Sequence, residues 1–301
     1  MMNLSTRTKA IYALVLTGIL GGIAPLLMKI ALKEFSSIQI VFVRFGFASL
    51  LVIPLLRYHY RSISFKKLTQ TLPAGLLFSG NIFFMIIGLQ YTTSIVSQLF
   101  YLLTPVFVSL IGYILFREKI STRRVLSMIV CFAGSTLLIL RSIGSSNLIH
   151  SIGTSKGNIL IVCAVTSWSL YVIYTKRISK QIEPTFFLVM NFFTALAISI
   201  IVLMVNNVSL FNTLLRLSHS SYPVMASLVF LGVINSVIFF FLYQWSLKQV
   251  LAFIVASTTY LSPLAAAVFA IPFFGEQLSG VLLLSAASIF IGSYLILTEK
   301  K

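Results

Sequence analysis

Negative charge is the scarcest property of this 301-residue chain. It contains no aspartate, and its five acidic residues are Glu34, Glu118, Glu183, Glu276 and Glu299. None of them falls near the middle of an apolar run, and the three histidines lie between the runs. This pattern argues against an aspartyl dyad, a metal site of histidines and carboxylates, and a serine–histidine pair buried in a membrane. We therefore expect no catalytic residue, no bound metal, no cofactor and no enzymatic activity.

Cysteine is equally scarce. Cys131 and Cys163 both lie inside apolar runs, so their spacing predicts neither a disulfide framework nor a zinc site. A G-x-S-x-G string covers Gly153–Gly157, but a nucleophile elbow needs a strand before it and a full triad around it. Here the string stands just before an apolar run, and we interpret the match as accidental.

Apolar residues are abundant instead. They make up 58% of the chain, charged residues make up 9%, and the mean hydropathy is +1.04. Soluble domains carry about 25% charged residues, so the composition predicts an all-α integral membrane protein. Ten transmembrane helices fit the apolar runs, near residues 10–32, 37–56, 69–88, 92–116, 123–141, 157–175, 185–206, 222–245, 250–274 and 280–298.

Lysine and arginine orient these spans. If the N-terminus is cytoplasmic, the inner segments hold sixteen of the 22 basic residues and the outer loops hold four. Cytoplasmic loops are enriched in basic residues, so both termini are predicted in the cytoplasm. The net charge of +17 is spread over short loops rather than gathered on a soluble domain, so we expect a lipid bilayer and no nucleic acid as partner.

The chain repeats itself. Residues 103–121 and 261–279 are identical at five of nineteen positions without a gap, including Pro105 with Pro263 and Glu118 with Glu276. A second echo, 147 residues apart, pairs Lys29 with Lys176. Five spans per copy is an odd number, so the second copy must enter the membrane from the opposite face. This predicts two inverted five-helix repeats, an architecture of many secondary transporters.

These residues resemble the drug/metabolite transporter superfamily, in its EamA-like branch. The resemblance rests on the lysine ending span 1, on Arg44 early in span 2, and on the Pro…Phe-x-Glu ending of spans 4 and 9. It implies repeats at residues 1–145 and 152–301, a bacterial inner (cytoplasmic) membrane, and a central cavity lined mainly by spans 1, 3, 4, 6, 8 and 9. Asn191 departs from the pattern, because it occupies the repeat position of Arg44.

Prolines in mid-span leave a carbonyl four residues earlier without its helical partner. For Pro105 and Pro263 these carbonyls belong to Tyr101 and Thr259. Either they face a wet central cavity, or a neighbouring helix satisfies them.

Polar side chains in mid-span are the candidates for substrate binding. They are Asn81, Gln98, Tyr101, Thr104, Trp168, Tyr171, Asn235, Thr259 and Tyr260. Uncharged hydrogen-bonding groups beside aromatic faces suit a small amphipathic or cationic solute. The alternative is that such groups join helices to one another, which is the more frequent role of a single serine or threonine.

Charged residues in or beside the spans have structural and functional interpretations. Arg44 is expected to pair with Glu276 or Glu34, with a substrate carboxylate as the functional alternative. Lys29 is expected either to extend to the membrane interface or to pack. Glu118 and Glu276 are expected to stabilise the start of the next helix, three residues before a serine cap.

The sequence thus predicts a secondary transporter that moves a small organic metabolite, such as an amino acid, by alternating access. A carrier of cationic drugs or nucleoside-like cofactors, and a membrane scaffold without transport, are the alternatives. Without an acid in mid-span, we expect weak dependence on protons. Gly18 and Gly22 could pack helices within or between chains, so the oligomeric state stays open.

Overall fold

Helices make up the regular structure of this protein. In a computed structural model, the described residues are 4–59, 64–116, 121–141, 149–178, 181–249 and 261–297. The helices are α1 (Leu4–Ala31), α2 (Ser37–His59), α3 (Phe65–Leu89), α4 (Ser94–Tyr101), α5 (Thr104–Phe116), α6 (Thr122–Arg141), α7 (Ile149–Ile152), α8 (Ser155–Ile178), α9 (Pro184–Val205), α10 (Leu210–Ser218), α11 (Tyr222–Gly232), a π segment (Val233–Ile238), α12 (Phe239–Gln249), α13 (Leu261–Phe274) and α14 (Gly280–Leu297). The all-helical prediction is confirmed for these ranges.

Seven helical stretches of the described residues are long and apolar enough to cross a membrane. They are Thr8–Ala31, Ser37–Leu55, Phe65–Leu89, Ser94–Ile114, Ser155–Ile178, Pro184–Val205 and Tyr222–Ser246. Three apolar helices are shorter: Val125–Leu137, Leu261–Phe274 and Gly280–Gly292. These three lie within the fifth, ninth and tenth predicted spans. The seven long apolar helices are those of an integral membrane protein, and the count of ten spans remains a prediction.

The main helix contacts join the first half of the chain to the second. α2 packs along α9, α3 along α8 and α6 along α14, while α1 packs against α11, α12 and α13. Conversely, α8 packs against α3 and α5. The two halves therefore share one extensive interface and do not form two separate bundles.

Equivalent positions of the two halves meet in this interface. Phe45 and Phe192 stand 147 residues apart, and their ring centroids are 5.7 Å apart where α2 meets α9. Gly134 and Gly292 stand 158 residues apart and both lie where α6 meets α14; a Cβ added at Gly134 would lie 2.9 Å from the Ser285 carbonyl oxygen. Contacts between equivalent positions are what a two-fold relation produces. The opposite membrane orientation of the halves stays a prediction.

Gly18 and Gly22 serve packing within the chain. The Ser262 hydroxyl of α13 donates to the Gly18 carbonyl oxygen at 2.8 Å. A Cβ added at Gly22 would lie 2.7 Å from the Ala265 Cβ and closer still to the Ser262 carbonyl oxygen. Small residues of this kind let two membrane helices approach closely, and here the two helices are α1 and α13.

Two short helices, α7 and α10, were not predicted. α10 lies between the seventh and eighth predicted spans, and its Phe211 and Leu214 are exposed whereas Thr213 is buried and accepts a hydrogen bond from the Gln39 amide at 3.1 Å. With nine residues it is too short to span a bilayer. Its one-sided apolar surface is typical of a helix lying at the membrane interface.

Candidate functional site

Arg44 lies about two turns into α2 and is 2% exposed. Its Nε donates to Ser236 Oγ at 2.9 Å, and its Nη2 donates to Asn235 Oδ1 at 3.0 Å. Nη1 has no hydrogen-bond partner among the described residues. Neutral groups thus hold the guanidinium, and one of its nitrogens stays available.

The π segment presents Asn235 and Ser236 to the arginine. Ser236 Oγ donates to the Leu231 carbonyl oxygen five residues earlier, at 2.8 Å, while it accepts from Arg44. Asn235 Nδ2 donates to the Leu20 carbonyl oxygen of α1 at 2.8 Å, which orients the amide oxygen towards Arg44. Single π turns inside α-helices occur frequently at functional sites. The helical spacing of the apolar residues carried no signal for this π turn.

The prediction that Arg44 forms an ion pair with Glu276 or Glu34 is wrong. Glu34 accepts from the Ser221 backbone nitrogen at 3.1 Å and from the Ser221 hydroxyl. Glu276 pairs with Lys29 at 2.9 Å. Both carboxylates lie just beyond helix ends, whereas Arg44 lies deep in α2. Distance along the helix axis therefore separates the arginine from these two acids.

Asn81 of α3 and Tyr101 of α4 form a second contact, which is partly buried. Asn81 Nδ2 donates to the Tyr101 hydroxyl at 2.5 Å and to the Ala164 carbonyl oxygen of α8 at 2.9 Å. Tyr101 lies within electrostatic range of Arg44, and among the described residues no hydrogen bond joins the two side chains. We name Arg44, Asn81, Tyr101, Asn235 and Ser236 the Arg44 cluster. Three of the predicted binding residues therefore lie in this cluster with the in-span arginine.

The fourth predicted span is broken where Tyr101 ends α4. The backbone nitrogens of Leu102 and Leu103 donate to carbonyls three residues earlier, and α5 begins at Thr104. Pro105 cannot donate, but Thr104 Oγ1 donates to the Tyr101 carbonyl oxygen at 2.7 Å. The Thr104 hydroxyl therefore supplies a partner that a neighbouring helix was expected to provide, and the wet cavity beside this carbonyl stays a prediction.

Trp168 and Tyr171 of α8 lie in a second cluster. Their rings stack with centroids 5.1 Å apart and planes inclined by 22°. The fully buried Tyr171 hydroxyl accepts from Asn191 Nδ2 at 2.7 Å and from Gln244 Nε2 at 3.0 Å. Asn191 Oδ1 has no partner among the described residues. We name Trp168, Tyr171, Asn191 and Gln244 the Tyr171 cluster.

Sequence reasoning missed the role of Asn191, although its repeat relation to Arg44 was visible. Both residues bear a buried polar atom that has no hydrogen-bond partner among the described residues, and the two atoms are of opposite kind. Arg44 Nη1 is a donor, and Asn191 Oδ1 is an acceptor.

Aromatic rings connect the two clusters. The Arg44 guanidinium carbon lies 5.2 Å from the Phe45 ring centroid, and the Phe78 ring lies 5.5 Å from Phe45 and 5.9 Å from Tyr171. Phe240 lies 4.9 Å from Phe78 and 6.1 Å from Trp168. These phenylalanines were not predicted, because an aromatic residue inside an apolar run resembles any other core residue.

Glu276 is 6% exposed and bonds three groups. Its carboxylate accepts from Lys29 Nζ at 2.9 Å, from the Ser94 nitrogen at 2.7 Å and from the Ile95 nitrogen at 3.0 Å. The expectation that it stabilises the next helix is wrong, because it occupies the N-terminus of α4. Ser279 performs the expected role for α14 and accepts from the Leu282 nitrogen at 3.2 Å. The Lys29 side chain is 18% exposed and binds Glu276, so it packs and does not extend to the interface.

The remaining predicted residues fall into two groups. Gln98 and Pro263 are buried in α4 and α13. Thr259, Tyr260 and Glu118 lie outside the described residues.

The G-x-S-x-G string forms the N-terminus of helix α8. Thr154 Oγ1 accepts from the Gly157 nitrogen at 3.2 Å, and Ser155 is the first residue of α8. No strand lies among the described residues before it, so the context of a nucleophile elbow is not met. The described residues also contain no group of three histidine, cysteine or acidic side chains that could hold a metal ion.

A cavity of about 290 Å³ lies at one end of the helices. It is lined by Ile30, Lys33, Glu34, Ser221, Pro223, Val224, Phe273 and Phe274. No member of the Arg44 or Tyr171 cluster lines it, so in this arrangement the cavity does not reach the two clusters.

The family model for EamA-like transporters matches residues 8–140 and, a second time, residues 155–298. The chain belongs to the EamA-like transporter family. A family domain that occurs twice agrees with the repeat read from the sequence.

Relatives of this EamA-like transporter include two bacterial proteins named as transporters and one plant protein. The uncharacterized transporter YxxF of Bacillus subtilis (strain 168) is 27% identical over 270 residues, which are 88% of this chain and 82% of YxxF. The uncharacterized transporter YyaM of the same organism is 26% identical over 179 residues, which are 58% of this chain and 54% of YyaM. A WAT1-related protein of Arabidopsis thaliana is 24% identical over 264 residues, 78% of this chain and 71% of that protein.

A solved crystal structure has the same fold as this transporter. It superimposes with a TM-score of 0.61 at 14% identity and covers 95% of this chain and 94% of its own. The likeness extends over nearly the whole chain and shows a shared overall fold.

Proposed function

We propose that this EamA-like transporter moves a small amphipathic metabolite with a carboxylate, such as an amino acid, across the bacterial inner membrane. Its ten spans form two inverted repeats at residues 1–145 and 152–301, with both termini in the cytoplasm. The halves alternate in exposing a site between them. The observation that carries the proposal is the buried guanidinium of Arg44, whose Nη1 has no partner among the described residues.

A carboxylate is the group that this guanidinium fits. The contacts of Arg44 to Ser236 and Asn235, which include the Asn235 backbone carbonyl at 3.5 Å, are hydrogen bonds to neutral oxygens. A charge within a membrane span normally faces an opposite charge, a backbone carbonyl or water. The planar fork of arginine binds a carboxylate with two parallel bonds, which adds both energy and orientation. A carboxylate on the substrate would supply the countercharge that the described residues do not provide.

The rest of the substrate would lie against aromatic and amide groups. Phe45 and Phe78 lead from Arg44 towards the stacked pair of Trp168 and Tyr171. An apolar side chain is stabilised by such surfaces. Asn191 Oδ1 is an acceptor that has no partner in the described part of the chain, and it suits an ammonium group. A carboxylate, an ammonium and an apolar side chain together describe an amino acid.

Arg44 makes the alternative of a cationic drug or nucleoside-like cofactor less favourable. The faces of Trp168, Tyr171 and Tyr101 attract cations. However, a buried positive charge at one end of the aromatic surface repels them. The arginine therefore favours a substrate that carries negative charge at one end.

Counterflow into sealed proteoliposomes tests the proposal. Vesicles loaded with one amino acid would be exposed to a labelled panel of amino acids and to the matching amines, which lack the carboxylate. We expect exchange of amino acids, no exchange of the amines, and strong loss of exchange in Arg44→Gln. Lys66→Gln removes a positive charge from an exposed side chain in α3 and is the matched control.

Two results would overturn the proposal. Equal exchange of amines and amino acids would show that the carboxylate is not recognised. Absence of any exchange by folded protein, together with unchanged metabolites in cells that make it, would support the membrane scaffold.

A further inference from the structure

The contacts of Glu276 join the two halves of the transporter at one end of the bundle. Glu276 follows α13 in the second half, whereas Ser94 and Ile95 begin α4 in the first half. Lys29, in the last turn of α1, completes the contact. We name Lys29, Ser94, Ile95 and Glu276 the Glu276 bridge. Three helices that are distant in sequence therefore meet at one carboxylate.

Each oxygen of this carboxylate is used. Oε1 accepts from Lys29 Nζ at 2.9 Å and from the Ser94 nitrogen at 2.7 Å, and Oε2 accepts from the Ile95 nitrogen at 3.0 Å. The two backbone nitrogens belong to the first turn of α4, where the helix dipole also favours negative charge. All three bonds involve an ionised group and are of the stronger, charge-assisted kind.

The helix that the bridge holds is short and ends at the Arg44 cluster. α4 has eight residues and runs from Ser94 to Tyr101, about 10 Å along its axis. At Tyr101 the regular helix is interrupted before α5 begins at Thr104. α4 is thus the first part of the Ser94–Ile114 stretch, held at its start by Glu276 and followed by a turn with hydrogen bonds to the third residue before, a feature that often marks a hinge in a helix.

The bridge also closes the bundle beside α4. Ser97 and Gln98 lie one turn behind the bridge and are 0% and 4% exposed. A solute could approach Tyr101 from this end only if the start of α4 separated from α1 and α13. Lys29 is 18% exposed, so water already reaches the ion pair and can hydrate both charges when they part.

The geometry points to Glu276 as the residue that gates this end of the transporter. With the bridge formed, α4 is held against α1 and α13 and this end is closed. With the bridge broken, the start of α4 moves away and exposes the path to the Arg44 cluster. The inference rests on the proposed function, in which the transporter alternates between states open to opposite sides of the membrane. It assigns to Glu276, Lys29 and the α4 amides the contact that closes one of these sides.

Thiol labelling without substrate tests this inference. Ser97→Cys places a nearly isosteric reporter behind the bridge, and a membrane-impermeant maleimide is added to right-side-out or inverted vesicles. The same chain without the Ser97 substitution gives the background from Cys131 and Cys163. We expect Glu276→Gln to raise the labelling rate about tenfold from the bridge side, since a lost charged hydrogen bond shifts the opening equilibrium by about that factor.

Two further variants separate gating from local damage. Lys29→Gln keeps both backbone bonds to the carboxylate, so we expect a smaller increase from the same side. Ser279→Ala removes the hydrogen bond to the Leu282 nitrogen in the same loop and leaves the Glu276 bridge intact, so we expect no increase.

The inference is overturned if Glu276→Gln labels within twofold of the parent, if labelling rises equally from both sides, or if Ser279→Ala labels as fast. Should Glu276→Gln not give a monodisperse protein in detergent, Lys29→Gln decides alone, and an unchanged rate from the bridge side rejects the inference. The labelling requires no amino acid, so a wrong substrate class would abolish counterflow and leave this result unaffected.

Discussion

Replacing Arg44 by glutamine separates the two roles that a buried arginine can have, holding helices together and binding a substrate. The substitution removes the hydrogen bond to Ser236 at 2.9 Å and the one to Asn235 at 3.0 Å. It also removes a charge that is 2% exposed and meets only neutral acceptors among the described residues. The effects on stability and on transport therefore differ in size.

For stability, two opposing contributions are of similar magnitude. Two hydrogen bonds to a charged group contribute about 3–6 kcal/mol in total. Burial of a charge without a countercharge costs several kcal/mol, and glutamine removes that cost. We expect the free energy of unfolding of Arg44→Gln to change by less than about 2 kcal/mol.

For transport, the contributions do not cancel. Loss of one partner in a buried, charged hydrogen bond to a ligand costs about 2–5 kcal/mol. At about 1.4 kcal/mol per factor of ten, this cost corresponds to a loss of substrate affinity of between roughly 30-fold and several thousand-fold. Arg44→Lys keeps the charge but lacks the fork, and its affinity should fall less than that of Arg44→Gln.

The assay compares both quantities on the same preparations. Thermal unfolding in detergent measures stability, and the concentration dependence of counterflow gives the apparent affinity for the amino acid. Unchanged affinity in Arg44→Gln, with normal stability, would refute the carboxylate role. Loss of folding in Arg44→Gln would instead refute the cancellation of the two energies, and Arg44→Lys would then be used for the affinity measurement.

Four further predictions concern packing, the Tyr171 cluster, the second half and energetics. Gly22→Ala should lower stability by about 1–3 kcal/mol in thermal unfolding, because its Cβ would lie 2.7 Å from a side chain of α13; Gly46→Ala, where nothing lies within 4 Å of the added Cβ, should not. Tyr171→Phe leaves two buried amides without their acceptor and should lower stability by about 1–3 kcal/mol for each amide; a change below 0.5 kcal/mol would contradict the hydrogen bonds. Glu118→Gln, at the repeat position of Glu276, should raise thiol labelling from the opposite side of the membrane, and a rise from the bridge side would argue against equivalent gates. A pH step across sealed vesicles should drive no concentrative uptake, and uptake that collapses with a protonophore would disprove weak proton dependence.

Much of the helix arrangement was predictable from hydropathy. The span predicted near 157–175 is α8 (Ser155–Ile178), and the one near 185–206 is α9 (Pro184–Val205). Long apolar runs with basic flanks carry this information locally, because most residues of a membrane helix meet lipid or other apolar groups. The π segment, α7 and α10 were missed, since each depends on contacts with other helices or on a single short turn of chain.

Candidate site residues were predictable by type but not by partner. Asn81, Tyr101 and Asn235 were selected as polar groups in mid-span, and they lie with Arg44 in one cluster. Arg44 was expected to meet an acid, yet its hydrogen bonds go to a serine and an asparagine. Charge alone predicts an acid as the partner of Arg44. The depth of a residue along the helix axis decides which groups come within hydrogen-bonding distance of it.

Sequence by itself determined that the chain is a helical membrane protein with two related halves and carries a carboxylate and a lysine at repeated positions. Only the tertiary structure decided that Lys29 meets Glu276, 247 residues away, and that this carboxylate occupies the start of α4. Hydropathy measures how apolar a segment is on average. Many different neighbouring helices are compatible with the same average. The identity of a neighbour depends on where helices from the two halves cross, and this crossing is a property of the whole packed bundle.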